Sequence, residues 1–188
     1  GTFLFNSKDL NMIAHIPELI DAGIDSLKVE GRMKTALYVA TVARTYRQAI
    51  DDYMESPARY QKRQDWYAAE IAKCTYRQFT TGFFFGKPDA GAQIYDNSTY
   101  EQEYIYLGFA EDVTEKGYAS VTQRNKFSKG ETVEIMRPDG ENEETIVRHI
   151  YDADGVEIES APHPRQRLYV DLGAEIRKFD ILRRKSGS

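Results

Sequence analysis

The order of apolar and polar positions changes character near residue 100. Before it, short strand-like runs alternate with long stretches of helical periodicity. After it, apolar runs are short, alternating and separated by turn residues. Phe3-Leu4-Phe5 is a compact apolar run closed by Asn6-Ser7-Lys8-Asp9, and it reads as a buried strand ending at Asn6 or Ser7. Ile13, Ile16, Leu19 and Ile20 recur at helical spacing up to Gly23, a helix stop. Pro17 is awkward inside that helix but suits the first turn of a shorter one. Residues 24–32 (IDSLKVEGR) predict a second strand. Strand, helix, strand with short links is a βα pattern and favours a parallel sheet.

The clearest element is a helix over 35–53. Val39, Val42, Ala43, Tyr46, Ala49, Ile50 and Tyr53 form its apolar stripe, with Arg44, Arg47, Gln48, Asp51 and Asp52 on the wet side. Ser56-Pro57 predicts the start of another helix, carrying Tyr60, Tyr67, Ile71 and Cys74. Residues 80–88 (TTGFFFGKP) break the helical pattern, and 89–102 read as a polar linker. Strand-like runs then follow at 104–113, 117–123, 131–136, 144–151, 156–160, 167–172 and 179–183. Lys116-Gly117, Pro138-Asp139-Gly140 and Asp152-Ala153-Asp154-Gly155 supply turns between them. That spacing predicts a sandwich or barrel, and closure into a barrel would remove exposed edges.

Composition narrows the classes. No apolar run approaches the roughly 20 residues needed to cross a bilayer, and no secretory leader pattern is present. Gly1 suggests an excised or processed piece. Cys74 is the single cysteine, which excludes an internal disulfide and an all-cysteine metal site, and a cytoplasmic location is expected. Net charge is −5, with 12 basic and 13 acidic residues up to Gln102 and 13 basic and 17 acidic from Glu103 onward. The second half therefore lacks the bulk positive charge of a typical nucleic-acid binder. A late basic cluster stands against that balance: Arg177, Lys178, Arg183, Arg184 and Lys185.

Three groups could carry chemistry. Lys28, Glu30 and Arg32 sit at the end of the second predicted strand. If helices cover the outside of a parallel barrel, Leu27 and Val29 face those helices and Lys28 and Glu30 point inward, where such barrels keep active sites. Gly31 lets the chain turn sharply as it leaves. Asn6 and Lys8 hold the matching place after the first strand; a structural ion-pair network or a solvated strand end is the bland alternative for this group. Thr80, Thr81 and the following glycines and phenylalanines suit a lid or stacking surface, or else a buried connector whose phenylalanines fill core. His15, His149 and His163 show no metal-ligand spacing, and no metal site is expected. The adjacent pairs Asp51/Asp52 and Glu143/Glu144 read as solvent-facing. Cys74 reads as a small buried hydrophobe.

Several segments are recognisable together: residues 5–10 (FNSKDL), 16–34 (IPELIDAGIDSLKVEGRMK), 38–51 (YVATVARTYRQAID) and 79–88 (FTTGFFFGKP). With Tyr106-Leu107-Gly108 and the run NKFSKGE at 125–131, they resemble the collagenase-like peptidase family U-32. The resemblance implies an α+β chain. Residues 1–88 would be a helix-rich remnant of a TIM-like βα barrel, 89–102 a linker, 103–184 a small all-β barrel similar to translation-factor second domains, and 185–188 a tail. It also implies a larger parent whose cysteine-rich signature, and any iron–sulfur cluster, lies upstream. No cofactor is then expected within this chain.

Some members of that family are described as collagenases. Others are implicated in hydroxylating RNA, including the tRNA wobble uridine with prephenate as a required metabolite. The leading reading is thus a C-terminal fragment, inactive alone. Lys28, Glu30 and Arg32 would line a catalytic mouth. Asn6, Lys8, Thr80, Thr81, Arg177, Lys178, Arg183 and Arg184 would contact a macromolecular substrate, RNA or protein. The rivals are a true peptidase region and a protein-interaction or dimerisation module. Strands taken from a barrel also leave unpaired edges, which predicts pairing between copies or a packing unlike the parent's.

Overall fold

The computed structural model describes residues 8–74, 78–88 and 103–187. The expected strand at 3–5, Asn6 and the expected linker lie outside the described residues. The chain divides into two compact units, residues 1–103 and 104–188.

The first unit is mainly helical. It contains β1 (Asp9–Leu10), a 3₁₀ turn (Ile13–His15), α1 (Ile16–Asp21), α2 (Ala36–Glu55), α3 (Pro57–Lys62), α4 (Gln64–Ala72) and β2 (Phe79–Thr80). Pro17 falls in the first turn of the short α1, where no N–H is needed. Thr35 caps α2, its hydroxyl accepting from the Tyr38 N–H at 3.2 Å. Ser56 stops α2 in extended geometry, as a residue preceding proline prefers. Met12, Ile13, Ile16, Leu19, Ala49, Tyr60, Tyr67 and Ile71 bury one core. Complete burial of a large apolar side chain of this kind stabilises by about 1.5–3 kcal/mol. Phenol groups tie the layers: Tyr60 Oη donates to Ile13 O at 2.8 Å, and Tyr46 Oη accepts the Met12 N–H at 2.8 Å.

Three expectations change here. Residues 24–31 form no strand, so the predicted strand–helix–strand unit is absent among the described residues. β1 instead pairs in parallel with β2, matching Asp9 to Phe79 and Leu10 to Thr80. Strand formation needs a neighbour to accept its backbone groups, and the short sheet takes that neighbour from beyond α4. Second, the single helix expected after Ser56 is two. Arg63 leaves helical geometry (φ −103, ψ 9), with its guanidinium drawn to Asp52 and lying over the Trp66 ring. Third, Arg44 and Asp52 are buried rather than wet, because α3 and α4 cover that side of α2.

The second unit is an antiparallel sheet of seven strands. They are β3 (Tyr104–Val113), β4 (Ala119–Thr122), β5 (Thr132–Met136), β6 (Asn142–Ile146), β7 (His149–Tyr151), β8 (Arg167–Asp171) and β9 (Ile181–Lys185). Their order is β6-β5-β9-β3-β4-β8-β7. The sheet curls around one core containing Leu107, Val121, Phe127, Ile135, Ile150, Leu168, Val170 and Leu182. The expected barrel is open between β6 and β7, which are consecutive in the chain. The intervening N–H groups serve other partners: Val147 donates to Glu131 O at 3.0 Å and Arg148 to Asp171 O at 2.8 Å. The strand expected at 144–151 is thereby split. The one expected at 156–160 forms only isolated bridges at Glu157 and Ser160.

Gly108 allows β3 to bend. It sits at φ +152, next to a register shift, and a Cβ there would lie 2.5 Å from Val121 Cγ1. Arg183, on β9, is 0% exposed. Its Nε donates to Glu134 Oε1 at 2.6 Å, and its guanidinium stacks 5.1 Å from the Tyr104 ring centre.

Candidate functional site

The first unit contains a cavity of about 500 Å³. Met12, Leu19, Val42 and Ile71 contribute its apolar wall, and Asp9, Asn11, Lys28, Glu30, Lys34 and Tyr38 supply polar groups. Each arrives from a different piece of chain. β1 delivers Asp9, the unpaired 24–30 segment delivers Lys28 and Glu30, and the start of α2 delivers Tyr38. Lys34 Nζ lies 3.1 Å from Asp9 Oδ2 and 5.0 Å from the Tyr38 ring centre, fixing the lysine between a charge and a π face. Burial, with the negative charges of Asp9 and Glu30 nearby, pushes the Tyr38 phenol up to about 12. Tyr38 is therefore a persistent hydrogen-bond donor near neutral pH and a poor general base.

The sequence-predicted residues divide. Lys28 and Glu30 do line this cavity. Arg32 is exposed and lies outside its lining, although its backbone N–H donates to Glu30 Oε1 at 2.9 Å and shapes the turn. Lys8 precedes β1 and is also outside the lining. Thr80 Oγ1 accepts the Gly82 N–H at 3.1 Å, and Thr81 O accepts the Phe84 N–H at 3.3 Å, so both help form the turn. The buried-connector alternative for this turn fails. Phe83 is 78% exposed, Phe84 and Phe85 are also exposed, and Phe85 packs 4.6 Å from the His15 ring.

Asp9, Lys34 and Tyr38 were missed by sequence reasoning. The available signal was local: Lys34 and Tyr38 lie one helical turn apart and flank the Thr35 cap, next to Glu30-Gly31-Arg32. The two carboxylates and two lysines at this wall balance in charge. The arrangement can orient a polar ligand through Lys34 and Tyr38 over an apolar floor.

The late basic cluster does not form one patch. Arg183 is buried, a correction to its expected substrate role: Leu182 beside it faces the core, so the guanidinium lies on the opposite sheet face, where Glu134 pairs it and Tyr104 and Met136 cover it. Arg184 Nη1 contacts Glu131 Oε2 at 2.8 Å. Arg177 contacts Asp139 at 3.3 Å and Glu175 at 3.0 Å. Lys178 is exposed, with its Nζ 5.5 Å from the Phe179 ring centre.

Residues 1–94 match the family described as Peptidase family U32, and residues 102–183 match the Peptidase family U32 C-terminal domain. The chain belongs to peptidase family U32. Its U32 relatives include the "tRNA hydroxylation protein P1" of Bacillus subtilis, 37% identical over 97% of this chain and 43% of that protein. The "tRNA hydroxylation protein P" of Escherichia coli is 34% identical over 86% of this chain and 35% of that protein. The "Collagenase" of Porphyromonas gingivalis is 32% identical over 45% of this chain and 23% of that protein. The chain thus spans less than half the length of these U32 relatives. Among solved structures, a U32 C-terminal domain from Geobacillus thermoleovorans is 30% identical, covering 43% of this chain and 99% of that one, with a TM-score of 0.40.

A cysteine-held cluster does not fit the residues of this chain. The Cys74 thiol is buried and donates to Ile71 O at 3.0 Å, and the described residues contain no group of three or more His, Cys, Asp or Glu side chains placed to hold a metal. No described helix is long and apolar enough to cross a membrane.

Proposed function

We propose that this chain is the C-terminal part of a U32 enzyme that hydroxylates tRNA. The observation carrying this reading is the 37% identity with the Bacillus subtilis tRNA hydroxylation protein P1, which runs through both units. The first unit would be the end of a TIM-like barrel. Its cavity would form one wall of the catalytic mouth, with Lys28, Lys34 and Tyr38 donating to the substrate or a small co-substrate. The curled sheet would position the RNA. Asn6, Lys8, Thr80 and Thr81 remain candidate substrate contacts near the mouth, and Lys178 with Arg177 on the sheet.

A chimera tests this. The matched region of the Bacillus subtilis P1 protein is replaced by this chain and expressed in a strain lacking P1 and the same organism's tRNA hydroxylation protein P2. Hydroxylated nucleosides in digested tRNA, read by mass spectrometry, should return to near the native level. A chimera that accumulates in folded form but leaves tRNA unhydroxylated would overturn the proposal. Gelatin cleavage by that same chimera would support the peptidase alternative.

A further inference from the structure

The curled sheet carries a second cavity, of about 460 Å³, on the face opposite its core. Tyr118, Tyr151 and Tyr169 wall it, with Lys116 and Gly155 at its rim. Tyr151 and Tyr169 are direct cross-strand partners on β7 and β8. Their neighbours Ile150, Leu168 and Val170 face the core, so strand alternation turns both tyrosines outward. Tyr118, entering β4, stacks on Tyr151 with ring centres 5.6 Å apart and an interplanar angle of 9°. His149 adds a ring 6.2 Å from Tyr151, tilted by only 25°.

A cross-strand aromatic pair stabilises a sheet by itself. Tyr118 and Tyr151 also hydrogen-bond to each other, and the three phenols are half-buried around a solvent-open recess of a size that fits a small organic group, since ligand pockets span roughly 300–1,000 Å³. Gly155, at the rim, takes φ +80 in the turn after β7, a conformation that favours glycine.

We infer that this tyrosine cavity is a stacking site for an unpaired nucleobase of an RNA strand. Near-parallel rings offer π faces that a flat base can extend, and such stacking is tolerant of sequence. The inference rests on the tRNA reading above. It also explains how an acidic unit could engage RNA: Lys116 is accompanied at the rim by Glu115, so attraction comes from ring faces rather than from bulk charge. Watson–Crick pairing would hide those faces, so single strands and loops are the forms that fit.

The test uses the 188-residue chain with a fluorescently labelled single-stranded RNA octamer. The comparison ligands are the same RNA annealed to its complement, a free mononucleotide and a proline-rich peptide. The single strand should bind about tenfold more tightly than the duplex. Tyr151→Ala and Tyr118→Leu should each weaken it about tenfold, as expected for loss of one stacked base. Tyr151→Phe should stay within about twofold, because the ring remains. A 2-aminopurine in the octamer should lose emission on binding the native chain, a readout independent of whether the alanine variant folds.

Absent binding, equal affinity for the duplex or an unaffected Tyr118→Leu variant would overturn the inference. So would a mononucleotide binding as tightly as the octamer, or the peptide binding in place of RNA. Failure here with a hydroxylating chimera would remove the stacking site and leave the tRNA reading intact. Tyrosine-dependent binding with an inactive chimera would do the reverse.

Discussion

Asp52 illustrates how little a single position's neighbours in sequence reveal. It is adjacent to Asp51, which is exposed and pairs with Arg47 along α2. Asp52 itself is 2% exposed and held by Arg59 Nε at 2.7 Å, Arg63 Nη1 at 2.5 Å and the Tyr67 hydroxyl at 2.5 Å. Replacing it by alanine leaves the buried Tyr67 phenol without its acceptor, while the part-exposed guanidiniums of Arg59 and Arg63 can turn to water. Asp52→Ala should lower stability by about 1–3 kcal/mol, the usual cost of leaving a buried polar group unsatisfied. Urea unfolding checks this, and a loss below about 1 kcal/mol would show the network to be dispensable.

Tyr38 makes a pH prediction. An unfolded phenol ionises near its ordinary value of 10, whereas the folded one holds its proton to about 12. Between those values the folded state binds more protons than the unfolded state, so stability falls as pH rises. The stability is fully present below pH 10 and declines up to about pH 12. Tyr46, Tyr60 and Tyr67 are shifted upward too, chiefly by burial, and act in the same sense. Denaturant midpoints measured from pH 9 upward should fall, and Tyr38→Phe should reduce that fall.

Among the elements, α2 was readable because its limits are local. A threonine cap and a Ser-Pro stop act within a few residues, whatever the surroundings. The β elements depend on partners far away in sequence. β1 finds β2 rather than the 24–32 segment, and 156–160 contributes bridges rather than a strand. The bend in β3 depends on Gly108, where a methyl group would lie 2.5 Å from Val121 Cγ1 and 3.0 Å from Thr122 O. Gly108→Ala should therefore cost about 1–3 kcal/mol through overpacking and backbone strain. Thermal denaturation of the variant checks this; an unchanged midpoint would mean that β3 can rebend without loss.

At the scale of the whole molecule, charge and its pairing set how RNA could be held. The net charge is −5, and Arg177, Arg183 and Arg184 are each engaged by carboxylates. These three arginines are already neutralised, and the net negative charge opposes bulk attraction to a phosphate backbone. The logarithm of RNA affinity should then fall with the logarithm of salt at a slope no steeper than roughly −2, as for two or three phosphate contacts. Binding isotherms across a salt series measure this. A slope several times steeper would mean that a basic surface dominates and that stacking is secondary.

The amino-acid sequence by itself determined the helical first half, the β-rich second half and the family. These rest on periodicity, caps, turns and motifs, all of which act over short distances. It also brought Lys28 and Glu30 into view, because both follow an alternating run and precede a glycine. Only the tertiary structure decided that Arg183 and Asp52 are buried, that β6 and β7 do not pair with each other, and that Asp9, Lys34 and Tyr38 share a cavity wall. It alone brought Tyr118, Tyr151 and Tyr169 together. Burial and pairing between distant segments are set by which surfaces pack most completely, and no local pattern carries that information.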